Sequence, residues 1–370
     1  MIEALYIHIP FCEHICHYCD FPKLVIDQDK QDAYVKALIT ELSFYKNDLG
    51  ALKTIYVGGG TPSWLKKVLW KRLIASMENI VDFNQIKEFT VEANPIHVDR
   101  EWMTLWKDSY VTRISLGVQS TQEKTLKVLG RRHRQEDIRR AVGLLTADGA
   151  FDLNLDFMHG VFEQTLEDVR ADLEYVSKTK PTHISYYGLI LEEGTILDHK
   201  DKQGLIRLPD EDLAVSMIET VNQSLRRMGY RHYEISNYCL DGKESLHNLA
   251  YWRMKPYLGV GMGASSQAFG RRFKNDDRLF GYINRVKQTN RGVVKNEPYD
   301  AMQEYVLMGL RTKTGIDLSS FVRRFKVDVF KAYPGLDRFL DGPFLKADRG
   351  RLYLTETGMM VSNQIFLSLF

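Results

Sequence analysis

The sequence predicts an α/β protein built as a partial (β/α)6 TIM-like barrel with a small C-terminal α+β domain, and three observations carry that reading. Before about residue 230, six short β-rich runs alternate with longer segments of helical period, the pattern of a parallel sheet curled toward a barrel. The first five of these runs each end in a polar, cysteine or glycine group, and in barrel folds that C-terminal rim is where sites are built. Strand ends also need turn residues on their own account, so any one of the five proves little. After residue 230 the alternation stops, which divides the 370 residues into a barrel over 1–230, an extension and linking segment over 231–294, and a C-terminal unit over 295–370.

Residues 4–9 read as the first strand, and 32–49 as a helix whose apolar stripe is Val35, Leu38, Ile39, Leu42 and Tyr45. Residues 53–57 form the second strand, which runs into Gly58, Gly59 and Gly60 before a helix over 64–79. The third and fourth strands are 88–92, ending at Asn94 and Pro95, and 113–119, followed by helices over 122–129 and 136–148. Residues 152–156 and 183–187 complete the set, with a helix over 165–178 between them. Further on, 231–236 reads as one more strand, and the glycine-rich run 257–264 suits close backbone approach. Helices over 278–288 and 301–312 lead to a hairpin over 342–354 with Asp348, Arg349 and Gly350 in its turn, and 356–369 reads as a last helix. Repeats and low-complexity tracts are absent from the sequence.

Fifty Lys and Arg against 48 Asp and Glu leave a formal charge of +2, which supplies no global attraction to nucleic acid or to an anionic membrane. The N-terminus lacks a signal-like pattern and no run reaches the eighteen or so apolar residues of a membrane span, so a cytoplasmic protein is expected, with at most peripheral membrane contact. Of four cysteines, Cys12, Cys16 and Cys19 fall on one loop directly after the first strand, while Cys239 stands far away. That distribution argues for a metal site in a reducing compartment rather than a disulfide framework. Zinc completed by His14 and His17 is one reading; three thiolates on an iron–sulfur cubane, with one iron left open, is the other.

The Cys-x3-Cys-x2-Cys loop after a first barrel strand resembles the radical S-adenosylmethionine (SAM) superfamily, in which SAM chelates the fourth iron of a [4Fe-4S] cluster. The run from Leu5 to Cys12, with Tyr18, Cys19, Asp20 and Phe21, resembles more narrowly the HemN/HemW group, and the likeness covers nearly the whole chain. The resemblance implies a cluster on Cys12, Cys16 and Cys19, and SAM contacts from Tyr6, Tyr18, Gly59, Gly60, Thr61, Glu92, Gln119, Arg131 and Asp156. In that scheme the glycines keep side chains away from the SAM amino group, and Arg131 pairs the SAM carboxylate as a guanidinium fork can. Asp156 takes ribose hydroxyls. Arg132, His133 and Arg134 read as a solvated basic face. An external electron donor would reduce the cluster, and cleavage of SAM would yield a 5′-deoxyadenosyl radical; the protein holds and aims that chemistry.

Within the group, three features turn the expectation from the oxygen-independent coproporphyrinogen III dehydrogenases toward the HemW-type haem chaperones, which bind haem and pass it to haemoproteins, respiratory ones among them. Phe21 stands where the dehydrogenases have a further cysteine, and the first strand begins within a few residues of Met1, where they carry an extension. The run from His247 to Trp252 matches the chaperones' His-Asn-x-x-Tyr-Trp motif, which makes His247, Tyr251 and Trp252 the candidate haem residues. Imidazole ligates haem iron and aromatic faces cover a macrocycle, though the same residues could simply lock this segment against the barrel. Ser265 takes the place where many relatives have a histidine. Cys239 is either a second haem ligand or packing, and Arg271, Arg272 and Lys274 either meet propionates or are surface charge. A binding module that never cleaves SAM is a third reading, and a homodimer around an exposed cluster is compatible with all of them.

Overall fold

The computed structural model describes residues 1–26, 30–147, 149–340 and 342–369, so Asp148, the expected end of the helix over 136–148, and Phe370 lie outside the described residues. Six parallel strands form the centre of one sheet: β1 (Ala4–Ile9), β2 (Thr54–Gly59), β3 (Glu88–Ala93), β4 (Arg113–Gln119), β5 (Asp152–His159) and β6 (His183–Gly188), in that spatial order. Residues 231–236 are not a single strand. They begin a hairpin of β7 (Arg231–Glu234) and β8 (Asn237–Cys239), and β8 pairs antiparallel with β6. The glycine-rich run supplies β9 (Tyr257–Val260), which returns to the far side of β1 and pairs with it in parallel. From there β10 (Ser265–Ala268), β11 (Arg271–Asn275) and β12 (Val293–Glu297) extend the sheet antiparallel, so its two ends are β12 and β7 and the barrel stays open.

The six central strands alternate with period two, and each face has its own chemistry. Leu5, Ile7, Ile55, Val57, Phe89, Val91, Ile114, Leu116, Leu153, Leu155 and Ile184 are fully or nearly fully buried in one apolar core, together with helix residues such as Val35, Leu38, Trp70 and Trp106. The intervening residues are polar and bond to one another across the strands. Tyr56 donates to Glu92 (2.8 Å), Ser115 to Asp156 (3.0 Å) and Asn154 Nδ2 to Ser185 (3.0 Å), while His183 Nδ1 meets Asn154 Oδ1 (2.6 Å). A closed barrel fills its interior with branched apolar side chains; this open one has a hydrogen-bonded polar lining.

The expected helices are present, most of them shorter and two, now Leu166–Thr179 and Leu279–Thr289, shifted by one residue at unchanged length. The first runs over Gln31–Phe44 and gives way to a 3-10 turn at Lys46–Asp48, and the last is broken at Val361 into Glu356–Met360 and Ser362–Leu369. Glu41 in the first helix is buried, and its carboxylate accepts from Gly261 N, Gly292 N, Asn275 Nδ2 and Tyr282 Oη at 2.8 to 3.0 Å, which ties the returning segment to the barrel. A second apolar core around Val306, Leu310, Phe321, Leu345, Leu354 and Phe366 belongs to the C-terminal region. Its small sheet pairs β13 (Ile316–Asp317) and β14 (Leu345–Asp348) with β15 (Arg351–Leu354). The hairpin turn places Arg349 (φ 50°) and Gly350 (φ 75°) in the left-handed region, as a two-residue turn of this twist requires. Among the described residues, no helix is long and apolar enough to cross a membrane.

Candidate functional site

A cavity of about 330 Å³ opens at the C-terminal rim of β1 to β5. Cys12, Cys16, Cys19, Tyr18, Gly59, Gly60, Thr61, Glu92, Gln119, Arg131 and Asp156 all line it, so the fold brings together eleven of the twelve residues assigned to the cluster and SAM. The size suits a small polar cofactor. Tyr6 is the exception: its hydroxyl meets His8 Nδ1 at 3.0 Å, its ring packs on Tyr56, and it faces a neighbouring cavity. Tyr56, Ser115, Gly117 and Tyr187 also line the main cavity without having stood out in the sequence.

The cysteine loop is pinned to the turn beyond β4. His14 Nε2 meets the Gly130 carbonyl at 3.1 Å and His17 Nδ1 the Val128 carbonyl at 2.8 Å, so one nitrogen of each ring anchors the loop. Thr61 Oγ1 donates to Cys12 Sγ (3.6 Å), and Arg131 Nη1 to Cys16 Sγ (3.6 Å). Burial pushes the Cys12 thiol up to about 11. Burial acts the same way on Cys16, but the adjacent His14 and Arg131 outweigh it and bring that thiol down to about 7. Arg131 is itself held by the Gly117 carbonyl (2.7 Å) and by His133, whose Nδ1 accepts from Arg131 Nε at 3.3 Å while Nε2 meets the Val118 carbonyl at 3.0 Å. His133 is therefore no part of a solvated face. It is 2% exposed, and it props the guanidinium toward the thiols, while Arg132 and Arg134 are not buried.

Packing by itself requires glycine at Gly59, the last residue of β2, and at Gly60 just beyond it. Gly59 sits at φ +112°, and a Cβ there would overlap the His8 imidazole; one at Gly60 would lie 2.7 Å from the Pro10 carbonyl carbon. The close pairing of β1 beside β2 thus gives these glycines a packing role alongside the one the resemblance implies at SAM. The Gly59 N–H donates to Glu92 Oε2 (3.0 Å), and Tyr56 Oη to Glu92 Oε1 (2.8 Å). Burial pushes Glu92 from 4.5 up to about 7, with Asp156 adding to the rise against the hydrogen bond from Tyr56. Asp156 rises to about 6 by burial, opposed by hydrogen bonds from Ser185, Ser115 and Asn154. A folded-state pKa above the unfolded value means that the fold binds the proton more tightly. The cofactor-free chain should then lose stability as pH rises from 4.5 to about 7, on the order of 1–3 kcal/mol from Glu92. Denaturant melts of the parent and of Glu92→Gln across that range check this: the parent should lose stability relative to the variant as pH rises, and parallel curves would refute the assignment.

The second cavity, about 270 Å³, adjoins the first and shares Phe21, Tyr56 and Glu92 with it. His247 and Tyr251 line it, Ser265 is at its edge, and Phe21 is exposed between the two. Glu88 of β3 accepts from Ser245 Oγ, Leu246 N and His247 N, which sets the short helix Leu246–Trp252 against the barrel. One turn apart, His247 and Tyr251 share a face. His247 is 1% exposed, and both ring nitrogens are engaged, Nδ1 by Thr54 Oγ1 (2.9 Å) and Nε2 by Tyr251 Oη (2.7 Å). Burial pushes its pKa down to about 3, so it is neutral.

Trp252, expected beside haem, lines neither cavity. Its ring lies under the Arg311 guanidinium (5.2 Å), which also covers Phe366 of the C-terminal core (5.6 Å), so it joins the barrel to that core. Cys239 is fully buried in β8 among Tyr233 and Leu249, which removes it as a haem ligand. Arg272 is paired with Glu304 and Lys274 with Asp277, and Arg271 bonds to Asn296, all on the antiparallel edge of the sheet and outside both cavities.

An open parallel barrel with a three-thiol loop over its C-terminal rim defines a radical SAM fold. Residues 6–176 match the model of the Radical SAM superfamily, and 297–361 that of the HemN C-terminal domain. The solved structure of the radical SAM enzyme coproporphyrinogen III oxidase (HemN) from Escherichia coli has the same fold, with a TM-score of 0.86 over 100% of this chain and 90% of that one, at 20% identity. The chain is 37% identical to the Heme chaperone HemW of Lactococcus lactis subsp. lactis, over 98% of its own length and 96% of that protein. It is 32% identical to the Heme chaperone HemW of Bacillus subtilis, over 99% and 98%. The chain belongs to the HemW family.

Three thiols on one anchored loop beside a cavity floored by Gly59, Glu92 and Asp156 fit a cluster with three protein ligands and an iron open to SAM.

Proposed function

We propose that the protein is a haem chaperone that binds haem and delivers it to haemoproteins, on a scaffold holding a [4Fe-4S] cluster and SAM. The observation that carries this reading is the full-length likeness to proteins named haem chaperone HemW. The site agrees with it, since Phe21 and not a thiol separates the cluster loop from a second, aromatic-walled cavity. Cys12, Cys16 and Cys19 would hold the cluster; Glu92, Gln119, Arg131 and Asp156, with the backbone of Gly59 and Gly60, would hold SAM. When bound, cluster and SAM together supply one-electron chemistry. The chain's own residues orient the pair and keep the polar lining of the barrel closed beneath it.

Residues 1–230 serve as the cofactor-holding unit, 231–294 carry the haem motif and 295–370 form the C-terminal domain. Acceptors include respiratory haemoproteins reached by transient contact at the membrane surface, with the chain itself in the cytoplasm. An electron donor is needed where SAM is cleaved, and a second copy of the chain can cover an exposed cluster. The fold shared with HemN supports coproporphyrinogen III dehydrogenation as the second reading.

Ferric haem added to the anaerobically reconstituted full-length chain is expected to bind stoichiometrically, read as a shifted Soret band. An unshifted band at excess protein contradicts the proposal.

A further inference from the structure

We propose that His133 is a positioning residue for the cofactors: it fixes the Arg131 guanidinium on the Cys16 sulfur, and through that contact raises both the reduction potential of the cluster and the affinity for SAM. The inference rests on the cofactor reading above and adds to it a residue that does not line the cavity.

The His133 ring has one arrangement of protons that satisfies both of its contacts. The Val118 carbonyl only accepts, so Nε2 carries the proton and donates to it (3.0 Å). Nδ1 is then a bare acceptor, and it faces Arg131 Nε (3.3 Å), which only donates. Burial and the adjacent guanidinium push the imidazole down to about 3, so the ring stays neutral and keeps that lone pair.

A guanidinium presents five N–H groups in one plane, and the contacts around Arg131 divide them. Nε goes to His133 and Nη2 to the Gly117 carbonyl (2.7 Å), while Nη1 donates to Cys16 Sγ (3.6 Å). The remaining hydrogens on Nη1 and Nη2 have no protein partner among the described residues. Arg131 lines the cavity, so they are left for a carboxylate bound there. Without the bond at Nε, the Gly117 carbonyl alone cannot hold the plane, because a fork on a single hydrogen bond is free to turn about it.

The support is rigid. Gly117 and Val118 are neighbours in β4, so the carbonyls that hold the guanidinium and the imidazole belong to one strand end. His133 is buried between the exposed Arg132 and Arg134, and Gly117 leaves room for the fork: a Cβ there would lie 3.3 Å from Arg131 Nη2.

The thiols therefore meet different surroundings. Cys12 accepts from the neutral hydroxyl of Thr61, whereas Cys16 accepts from a cation. Reduction adds one electron to the cluster and makes or breaks no bond, so a fixed positive charge and an N–H on one sulfur favour the reduced form and raise the potential. His14 also favours a charged Cys16 sulfur, so loss of His133 removes only part of the effect.

The test is a dithionite redox titration of the anaerobically reconstituted full-length chain, followed by electron paramagnetic resonance, with SAM affinity from equilibrium dialysis. The parent is compared with His133→Phe, His133→Asn, Arg131→Gln and the double variant Arg131→Gln/His133→Phe. His133→Phe keeps a ring but no lone pair. Its potential should become more negative by a tenfold change in the reduction equilibrium, about 59 mV for one electron. Its SAM affinity should fall by about 10–100-fold. His133→Asn, whose Oδ1 replaces Nδ1 as the acceptor for Arg131 Nε, should recover most of both. In the Arg131→Gln background, His133→Phe should add nothing further, because the imidazole acts through the guanidinium. An unchanged potential in His133→Phe overturns the assignment, and so does a shift that persists undiminished in the Arg131→Gln background. Should His133→Phe fail to fold, His133→Asn decides: a potential like the parent's supports the assignment, and one like that of Arg131→Gln overturns it. A parent that loads no cluster overturns the cofactor reading itself, which separates the two failures.

Discussion

Replacing Cys12, Cys16 and Cys19 together by serine is expected to abolish iron and sulfide incorporation on anaerobic reconstitution, from about four of each per chain in the parent to near zero. The effect should be complete because no thiol can substitute: Cys239 is fully buried in β8 and does not line the cavity. The substitution should leave the fold intact. Cys16 and Cys19 are only partly buried, and the loop is held by His14 and His17 on the backbone of residues 128–130, by the Cys12 N–H on the Leu24 carbonyl and by the Leu24 N–H on the Pro10 carbonyl. Iron and sulfide analysis, with circular dichroism as the control for folding, checks both parts. A triple variant that loads like the parent would place the cluster elsewhere.

The second large effect concerns stability. Gly59→Ala should destabilise the chain by about 2–6 kcal/mol, the combined cost of a non-glycine residue held at positive φ and of a methyl driven into the His8 ring. The overlap cannot be relieved cheaply, because His8 is fixed at both nitrogens by Tyr6 and the Pro22 carbonyl, and β1 is paired on both edges. The same variant disturbs the N–H that Gly59 donates to Glu92, so SAM affinity should fall along with the melting temperature. Thermal melts and equilibrium dialysis with SAM measure the two. A stable variant with only SAM binding lost would contradict the packing role and leave the glycine the role expected from the sequence, that of clearing space for the ligand.

Much of this was legible in the residues. The β/α alternation predicts the six central strands, and the polar groups that end them predict which side of the sheet carries the cavity, because strand ends are local features and their periodicity survives without knowledge of the partners. The cysteine spacing and the His-Asn-x-x-Tyr-Trp run were equally local. What escaped depended on contacts between segments distant in sequence. That β9 pairs with β1 follows from register across some 250 residues and has no local signature. His133 reads as one charge among Arg131, Arg132 and Arg134 until the chain folds it under Val118.

One missed signal was present. Thr54, Tyr56 and Gly58, then Glu88, Thr90 and Glu92, then Arg113, Ser115 and Gly117, then Asn154 and Asp156, recur at every second position of successive strands. That alternation marks a polar interior, and it would have brought Tyr56 and Tyr187 into the site beside Glu92 and Asp156. His247 shows the converse limit: the motif points to haem, but only the structure shows both nitrogens engaged and the phenol of Tyr251 left facing the cavity.

The central claim, that this radical SAM scaffold carries haem instead of making its precursor, is tested most directly by offering one anaerobic preparation both tasks. The reconstituted chain, with SAM and a reductant, is incubated with coproporphyrinogen III, and in parallel the haem-loaded chain is mixed with an apo-haemoprotein. The expected result is transfer of haem to the acceptor, seen as its holo spectrum, with no protoporphyrinogen formed. Conversion of the propionates to vinyl groups over many turnovers, with haem left on the chain, would contradict the account.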